Sequence, residues 1–206
     1  MPTRAEAEAV LSRWLPQGAV APVCAWLVEH NASLRIARHR TSKLGDYRPP
    51  QGAQSGHAIS VAGDLGKGMF LWVLLHEMAH LENRARHPRS APHGREWQAE
   101  YAALIVTYLD CFDAGVRPLM EACASRLPLK RSLTAEIERR LRETDGGTPL
   151  LTVADLEPGT LFRLKARGAD IYRADERRRT RWLCTHMASG RRYLVNGAAE
   201  VEKVES

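Results

Sequence analysis

The chain has 206 residues, of which 44% are hydrophobic and 26% charged, and 30 basic against 24 acidic side chains give a formal net charge of +6. These fractions are those of a globular protein, and they exclude wholesale disorder, collagen and a long coiled coil. The longest uninterrupted apolar run, Met69–Leu75, is far short of the ~20 residues a membrane span needs. Alternation of Arg4, Glu6 and Glu8 with alanines reads as helix chemistry and not as a signal peptide, so a cytoplasmic protein without a membrane partner is expected.

Thr3 followed by Glu6 forms a capping box, and Ala7, Val10, Leu11 and Trp14 then share one helical face until Pro16 stops the helix. A second helix is predicted over Ala19–Glu29. From Ser33 the period shortens: Leu34 and Ile36 alternate with Arg35 and Ala37 as in a strand, and Lys43–Arg48 reads as a turn into another. A third strand is predicted over His57–Val61, with Ala58 and Ser60 on one side and His57, Ile59 and Val61 on the other.

Gly66 and Gly68 release the chain into Met69–Leu75, apolar on every side, as in a helix buried at the centre of its domain. It continues into His76-Glu77-Met78-Ala79-His80. A polar loop, Asn83–Pro92, is expected next, then a helix bearing Trp97, Tyr101, Leu104, Ile105 and Tyr108. Shorter helices follow at Pro118–Ser125 and Leu133–Arg142. Asp145–Pro149 reads as a linker, and beyond it short strands at 161–164, 170–173, 181–186, 193–195 and 200–204 predict a small twisted sheet or partly closed barrel.

Cys24, Cys111, Cys123 and Cys184 are scattered and never form Cys-x-x-Cys, so a zinc ribbon is excluded, and they read as four small buried thiols. The sharpest signal is His76-Glu77-x-x-His80. Residues four apart on a helix lie ~40° and ~6 Å apart, so two imidazoles can point at one tetrahedral Zn²⁺. Glu77 can then reach the position where water sits and remove its proton. Chance gives the pattern about 0.02 times in a chain of this composition, which favours the metal over two satisfied histidines and a surface glutamate. A catalytic zinc needs a third protein ligand, and spacing alone leaves His93, Glu100 and His87 open. Mn²⁺ or Co²⁺ could occupy the same ligands.

With His93-Gly94-x-x-Trp97 following it, this motif resembles the SprT-like (Spartan-type) zinc metalloprotease family, whose third histidine lies in such an HGxx-aromatic turn. Arg40-Thr41-Ser42-Lys43-Leu44-Gly45-Asp46-Tyr47 also resembles that family, and the likeness covers about residues 20–110. The resemblance implies His93 as third ligand, protein substrates, and action on DNA-associated or DNA-crosslinked proteins. Many family members carry a zinc ribbon after the protease core, which this chain lacks. Arg178–Cys184, with Tyr193 and Ala198–Val201, is similar to tails of bacterial SprT-like proteins.

The fold expected is α+β: a zincin-like metalloprotease domain at 1–145, with helices on a small sheet and HExxH on a buried helix, and a small C-terminal β-domain at 150–206. The function expected is zinc-dependent peptide-bond hydrolysis, with His76, His80 and His93 on the metal and Glu77 as catalytic base and acid. An extended substrate would pair with His57–Val61 as a sheet edge, and Arg38, Arg40 or Tyr47 would stabilise the oxyanion. Arg177–Arg179 and Arg181 would contact phosphates of DNA while Trp182 stacks on a base, against the plainer reading of a solvated hairpin flank. His30, His39 and His186 read as ordinary polar residues. The competing class is a zinc-containing scaffold or nucleic-acid-binding protein that cleaves nothing.

Overall fold

The Thr3 hydroxyl accepts from the Glu6 amide at 3.3 Å, and the Glu6 carboxylate accepts from the Thr3 amide at 2.7 Å. This reciprocal cap starts helix α1 (Arg4–Leu11). The helix stops a turn earlier than the apolar spacing predicts. Tight bonds from Arg13 to the Val10 carbonyl and from Trp14 to the Leu11 carbonyl close it, and Pro16 instead precedes helix α2 (Gln17–Glu29). Val10, expected on the core face, is exposed, and Leu15 beyond the helix is buried.

The computed structural model describes residues 3–38, 43–51, 56–146, 151–165, 168–178, 181–197 and 199–204. They form two compact units, Met1–Gly147 and Thr148–Ser206, each with its own hydrophobic core, and the chain is of mixed α+β class. Among the described residues no helix is long and apolar enough to cross a membrane.

In the first unit, strands β1 (Ala32–Ala37), β2 (Gly45–Arg48) and β3 (His57–Ala62) form a sheet in the order β1-β3-β2, with β1 parallel and β2 antiparallel to β3. This corrects the expectation that His57–Val61 is an edge. The strand is central, its ladder is taken on both sides, and Ile59–Ala62 are buried whichever face they point to. The edge that touches the next helix is β2. Ala62 donates to the Leu44 carbonyl, so the alternation of the antiparallel ladder turns the backbone groups of Gly45 and Tyr47 away from β3.

Helix α3 (Lys67–Arg86) follows, and every residue from Met69 to Leu75 is buried, as an all-round apolar sequence requires. It runs on through Asn83 to Arg86, so the expected loop begins only at His87. Glu82 pairs with Arg86 one turn on, and the Asn83 amide exchanges hydrogen bonds with the Ser90 hydroxyl. Helices α4 (Arg95–Thr107), α5 (Arg117–Ala124) and α6 (Arg131–Thr144) complete the unit. All four cysteines are free thiols; three are buried and Cys111 is half-buried.

The second unit is an antiparallel sheet of β4 (Leu161–Leu164), β5 (Ile171–Arg177), β6 (Arg181–His186), β7 (Arg192–Asn196) and β8 (Val201–Lys203), in the order β7-β6-β5-β4-β8. Phe162, Tyr172, Ala174, Trp182, Cys184 and Val201 form its core. Trp182 is only 4% exposed, which removes the base-stacking role the sequence offered it. Arg179, Thr180 and Ala198 lie outside the described residues, as do Gly147, Thr148 and Pro149 of the expected linker.

Asp145, read as linker, has a structural task. Its carboxylate accepts from the amides of Gly68 at 2.9 Å and Met69 at 2.9 Å, in the first turn of α3. The N-cap residue, Gly66, has no side chain to do so, and a methyl group there would collide with Asp145. A negative charge against the positive end of a buried helix is favourable twice over, through hydrogen bonds and through the helix dipole. Asp145→Ala is expected to destabilise the first unit by about 1–2 kcal/mol. Native-state hydrogen exchange would show it first as faster exchange at Gly68 and Met69.

Candidate metal centre

The C-terminal half of α3 turns His76 and His80 to one side and Glu82 to another, toward Trp26 and His30. His76 and His80 stand one turn apart with ring centroids 5.0 Å from each other. His93 arrives from the turn before α4 with φ of 57°, a left-handed conformation that histidine tolerates better than branched residues do. That reversal carries its ring back to 5.1 Å from His76 and 4.7 Å from His80. One potential ligand atom from each of the three lies within 4.8 Å of the others, and among the described residues this is the one group of three or more such side chains.

The turn is held from two directions. Gln98 donates to the His93 carbonyl at 3.0 Å, and its own carbonyl accepts from the Leu129 amide at 2.8 Å. The Asn83–Ser90 pair anchors the loop before it. Trp97, 5% exposed, fits against all three imidazoles, with centroids at 4.6, 5.3 and 4.5 Å from His76, His80 and His93. Tyr101, one turn further along α4, packs edge-on to His76 at 5.6 Å.

The donor set fits a transition-metal ion. The Nε2 atoms of His76 and His93 are 3.1 Å apart. Two nitrogens each ~2.0–2.1 Å from a tetrahedral ion lie roughly 3.3 Å apart, so this spacing accommodates one with a small relaxation. Three imidazoles suit zinc, copper, iron or nickel better than magnesium or calcium, which prefer oxygen.

Glu77 is buried, and its carboxylate accepts from the outward-pointing backbone N–H of Tyr47 in β2. Gly45 makes that approach fit: a methyl group at this position would overlap the Glu77 carboxylate and stand 2.8 Å from the Val73 side chain. Burial, and then the nearby Asp46 carboxylate, push the Glu77 pKa up to about 7, with Lys43 and the Tyr47 amide opposing. Burial first, and then neighbouring imidazoles, push His76 down to about 3; burial and His93 push His80 down to about 4. These two ligand candidates are thus held in the neutral form that can donate a lone pair.

Glu100 and His87, the other third ligands that spacing allowed, lie elsewhere. Glu100 is bound by Arg86 at 2.6 Å and faces His87 at 3.7 Å, while Arg86 also reaches Glu82 at 3.2 Å. Glu82 accepts from the Trp26 indole at 2.9 Å and sits 3.1 Å from His30, which stacks on Trp26. His30, read as an ordinary polar residue, is held by Glu82 and Trp26 at the half-buried end of this network. Of the three residues offered for an oxyanion, Arg40 lies outside the described residues, as does His39, and Arg38 is exposed. Tyr47 stacks parallel to His80 at 6.4 Å, and its hydroxyl is 2.9 Å from His57 Nδ1.

Gly45 and Gln98 were not visible as site residues. An isolated glycine at the start of a strand signals close approach of another group, which is its task here; nothing in the sequence marks Gln98.

The sign of the pH response follows from these groups. His76 and His80 bind protons more readily in the unfolded chain, so the stability they contribute is present above about 6.5 and is lost as pH falls toward 4. Glu77 acts oppositely, favouring the folded state below about 4.5 and losing that contribution as pH rises through 7. Two histidines outweigh one glutamate. For the chelator-treated protein, urea midpoints are expected to fall between pH 6.5 and 4, and more steeply over that range in Glu77→Gln. Compared with protein-family models, with curated proteins and with solved structures, the chain matches none.

Proposed function

We propose that the chain is a zinc-dependent peptidase with a zincin-like first unit, similar to the SprT-like metalloproteases, that hydrolyses peptide bonds in protein substrates. The observation that carries this reading is the placement of a buried carboxylate, Glu77, beside three convergent imidazoles at an open cleft. Glu77 and His76 line one side of a 230 Å³ concavity with Lys43, Gly45 and Trp72. On the His80 side, Tyr47 and Arg84 border a further 160 Å³. A polypeptide can lie across both.

In this reading His76, His80 and His93 hold Zn²⁺, which supplies Lewis acidity toward water and toward an amide carbonyl. Glu77 takes the proton of the water whose oxygen bonds to the carbonyl carbon. As the C–N bond breaks, the same carboxyl gives that proton to the leaving amine. The Tyr47 amide and the space left by Gly45 keep the carboxylate aimed during both transfers. The Tyr47 hydroxyl, 2.9 Å from His57 Nδ1, would donate to the developing oxyanion in the tautomer where that nitrogen carries the proton. β2, an edge of the three-stranded sheet, is the strand offered to an extended substrate, with the Tyr47 N–H kept by Glu77.

A closed, structural metal site would need a fourth protein ligand, and the two residues the sequence offered are engaged in the Arg86 network instead. Action on DNA-associated proteins rests on the family resemblance together with exposed arginines such as Arg177 and Arg181; a phosphate-driven complex would weaken steeply with salt.

Two experiments test the reading. Chelator-stripped protein is expected to rebind one equivalent of Zn²⁺ in a titration. His76→Ala, His80→Ala and His93→Ala each lose this, while Glu100→Gln and His87→Ala retain it. Glu77→Gln is expected to keep the zinc and lose cleavage of a denatured protein substrate by about 10²–10⁴-fold. Undiminished proteolysis by that variant would overturn the mechanism.

A further inference from the structure

The five-stranded sheet of the second unit has two edges, and they are finished differently. The β8 edge is covered: Val201 donates to the Leu151 carbonyl at 2.8 Å, and Thr152 bridges to Glu200. The β7 edge is bare, since among the described residues no strand pairs with its outer side. The register fixes which groups are left there. His186 donates to the Arg191 carbonyl at 2.9 Å, so in the alternating ladder with β6 the hydrogen bonds fall at Tyr193 and Val195. The backbone N–H and C=O of Arg192 and Leu194 therefore point outward. A strand left in this state is a template for another, and β7 carries neither proline nor bulge to prevent it.

We propose that the β7 edge is a docking strand for an extended acidic segment of a protein partner, one with carboxylates two residues to either side of an apolar residue. The inference stands apart from the metal centre and from the peptidase reading.

Three observations lead to that occupant. Outward main-chain groups recognise polypeptide by adding a strand to the sheet. The side chains then set the pattern. Arg192, Leu194 and Asn196 alternate onto one face, and across the ladder Leu183 stands beside Leu194 and Arg181 beside Asn196. Leu194, 55% exposed, thus forms an apolar centre with a cation toward each end. Finally, these cations are available. Arg181 has no carboxylate partner among the described residues. Arg192 is 4.0 Å from Asp175, which Arg173 at 2.8 Å and Thr185 at 2.5 Å hold more closely. A second copy of the chain would crowd the same arginines onto one face. A nucleic-acid strand would meet leucine where a base needs a ring to stack on.

The probe is a fluorescein-labelled Gly-Ser-Glu-Thr-Leu-Thr-Glu-Ser-Gly peptide, read by fluorescence anisotropy against the full-length Glu77→Gln protein, so that cleavage does not enter the readout. It is expected to bind at least about tenfold more tightly than the same peptide with Lys for both Glu, and than one N-methylated at its central Leu. Leu194→Pro removes an outward N–H and spares the ladder with β6, a place where an edge strand tolerates proline; it is expected to abolish binding. Arg181→Glu combined with Arg192→Glu should reverse the preference to the Lys peptide, and serves if the proline variant fails to fold. No binding, equal binding of the Glu and Lys peptides, or binding unmoved by both N-methylation and Leu194→Pro would overturn the proposal. A concentration-dependent dimer that Leu194→Pro dissolves would give the edge to a second copy. A short oligothymidylate that binds more tightly than the Glu peptide, and is lost in the charge-reversed variant, would give it to nucleic acid. Either result overturns the acidic segment, and none of these outcomes touches the peptidase reading, because catalysis is not measured.

Discussion

Helix α3 must be the apolar centre of its unit and also carry the polar groups that do chemistry, and the rest of the first unit is arranged around that conflict. Its first half is buried on all sides, and its second half places His76, Glu77, His80, Glu82 and Asn83 in or near the interior. A buried polar group without a partner costs on the order of 1–3 kcal/mol. Glu82 meets Trp26, His30 and Arg86; Asn83 meets Ser90; Glu77 meets the Tyr47 amide. The three imidazoles are different, because the hydrogen bond available within their group is the contact between His76 and His93. Burial keeps His76 and His80 neutral, and their lone pairs converge where a cation would satisfy them.

Much of this was legible from residue spacing because helical periodicity and the metal motif depend on local geometry. The position of α3, its all-round burial, the convergence of His76 with His80 and the aromatic face of α4 follow from intervals of three and four residues. What escaped depends on partners distant in sequence. Strand order cannot be read from alternation, and so His57–Val61 looked like an edge when it is the middle of its sheet. Asp145 sits among linker residues and caps a helix 76 residues upstream. Trp182 lies among arginines, yet the two-residue period of β6 turns it with Cys184 into the core.

The choice among His87, His93 and Glu100 shows why spacing alone stalled. Glu100 is well placed in sequence, but the site-facing positions of α4 are Trp97 and Tyr101, one turn apart. Glu100 is rotated about 60° from Trp97 away from Tyr101, toward the end of α3 where Arg86 waits. His87 belongs to that same end. Only the left-handed turn at His93 reverses the chain enough to bring a third imidazole back over His76 and His80.

That arrangement also separates two demands that would otherwise compete on one element. The carboxylate needs burial and a fixed direction, which β2 supplies through an amide and through the missing side chain of Gly45. The third imidazole comes from a turn, which has more backbone freedom than the middle of a helix. Gln98 limits the freedom by fastening the turn to the segment that enters α6. The turn that presents His93 and the chain entering α6 are thus joined through one side chain, while Trp97 packs on the same ring.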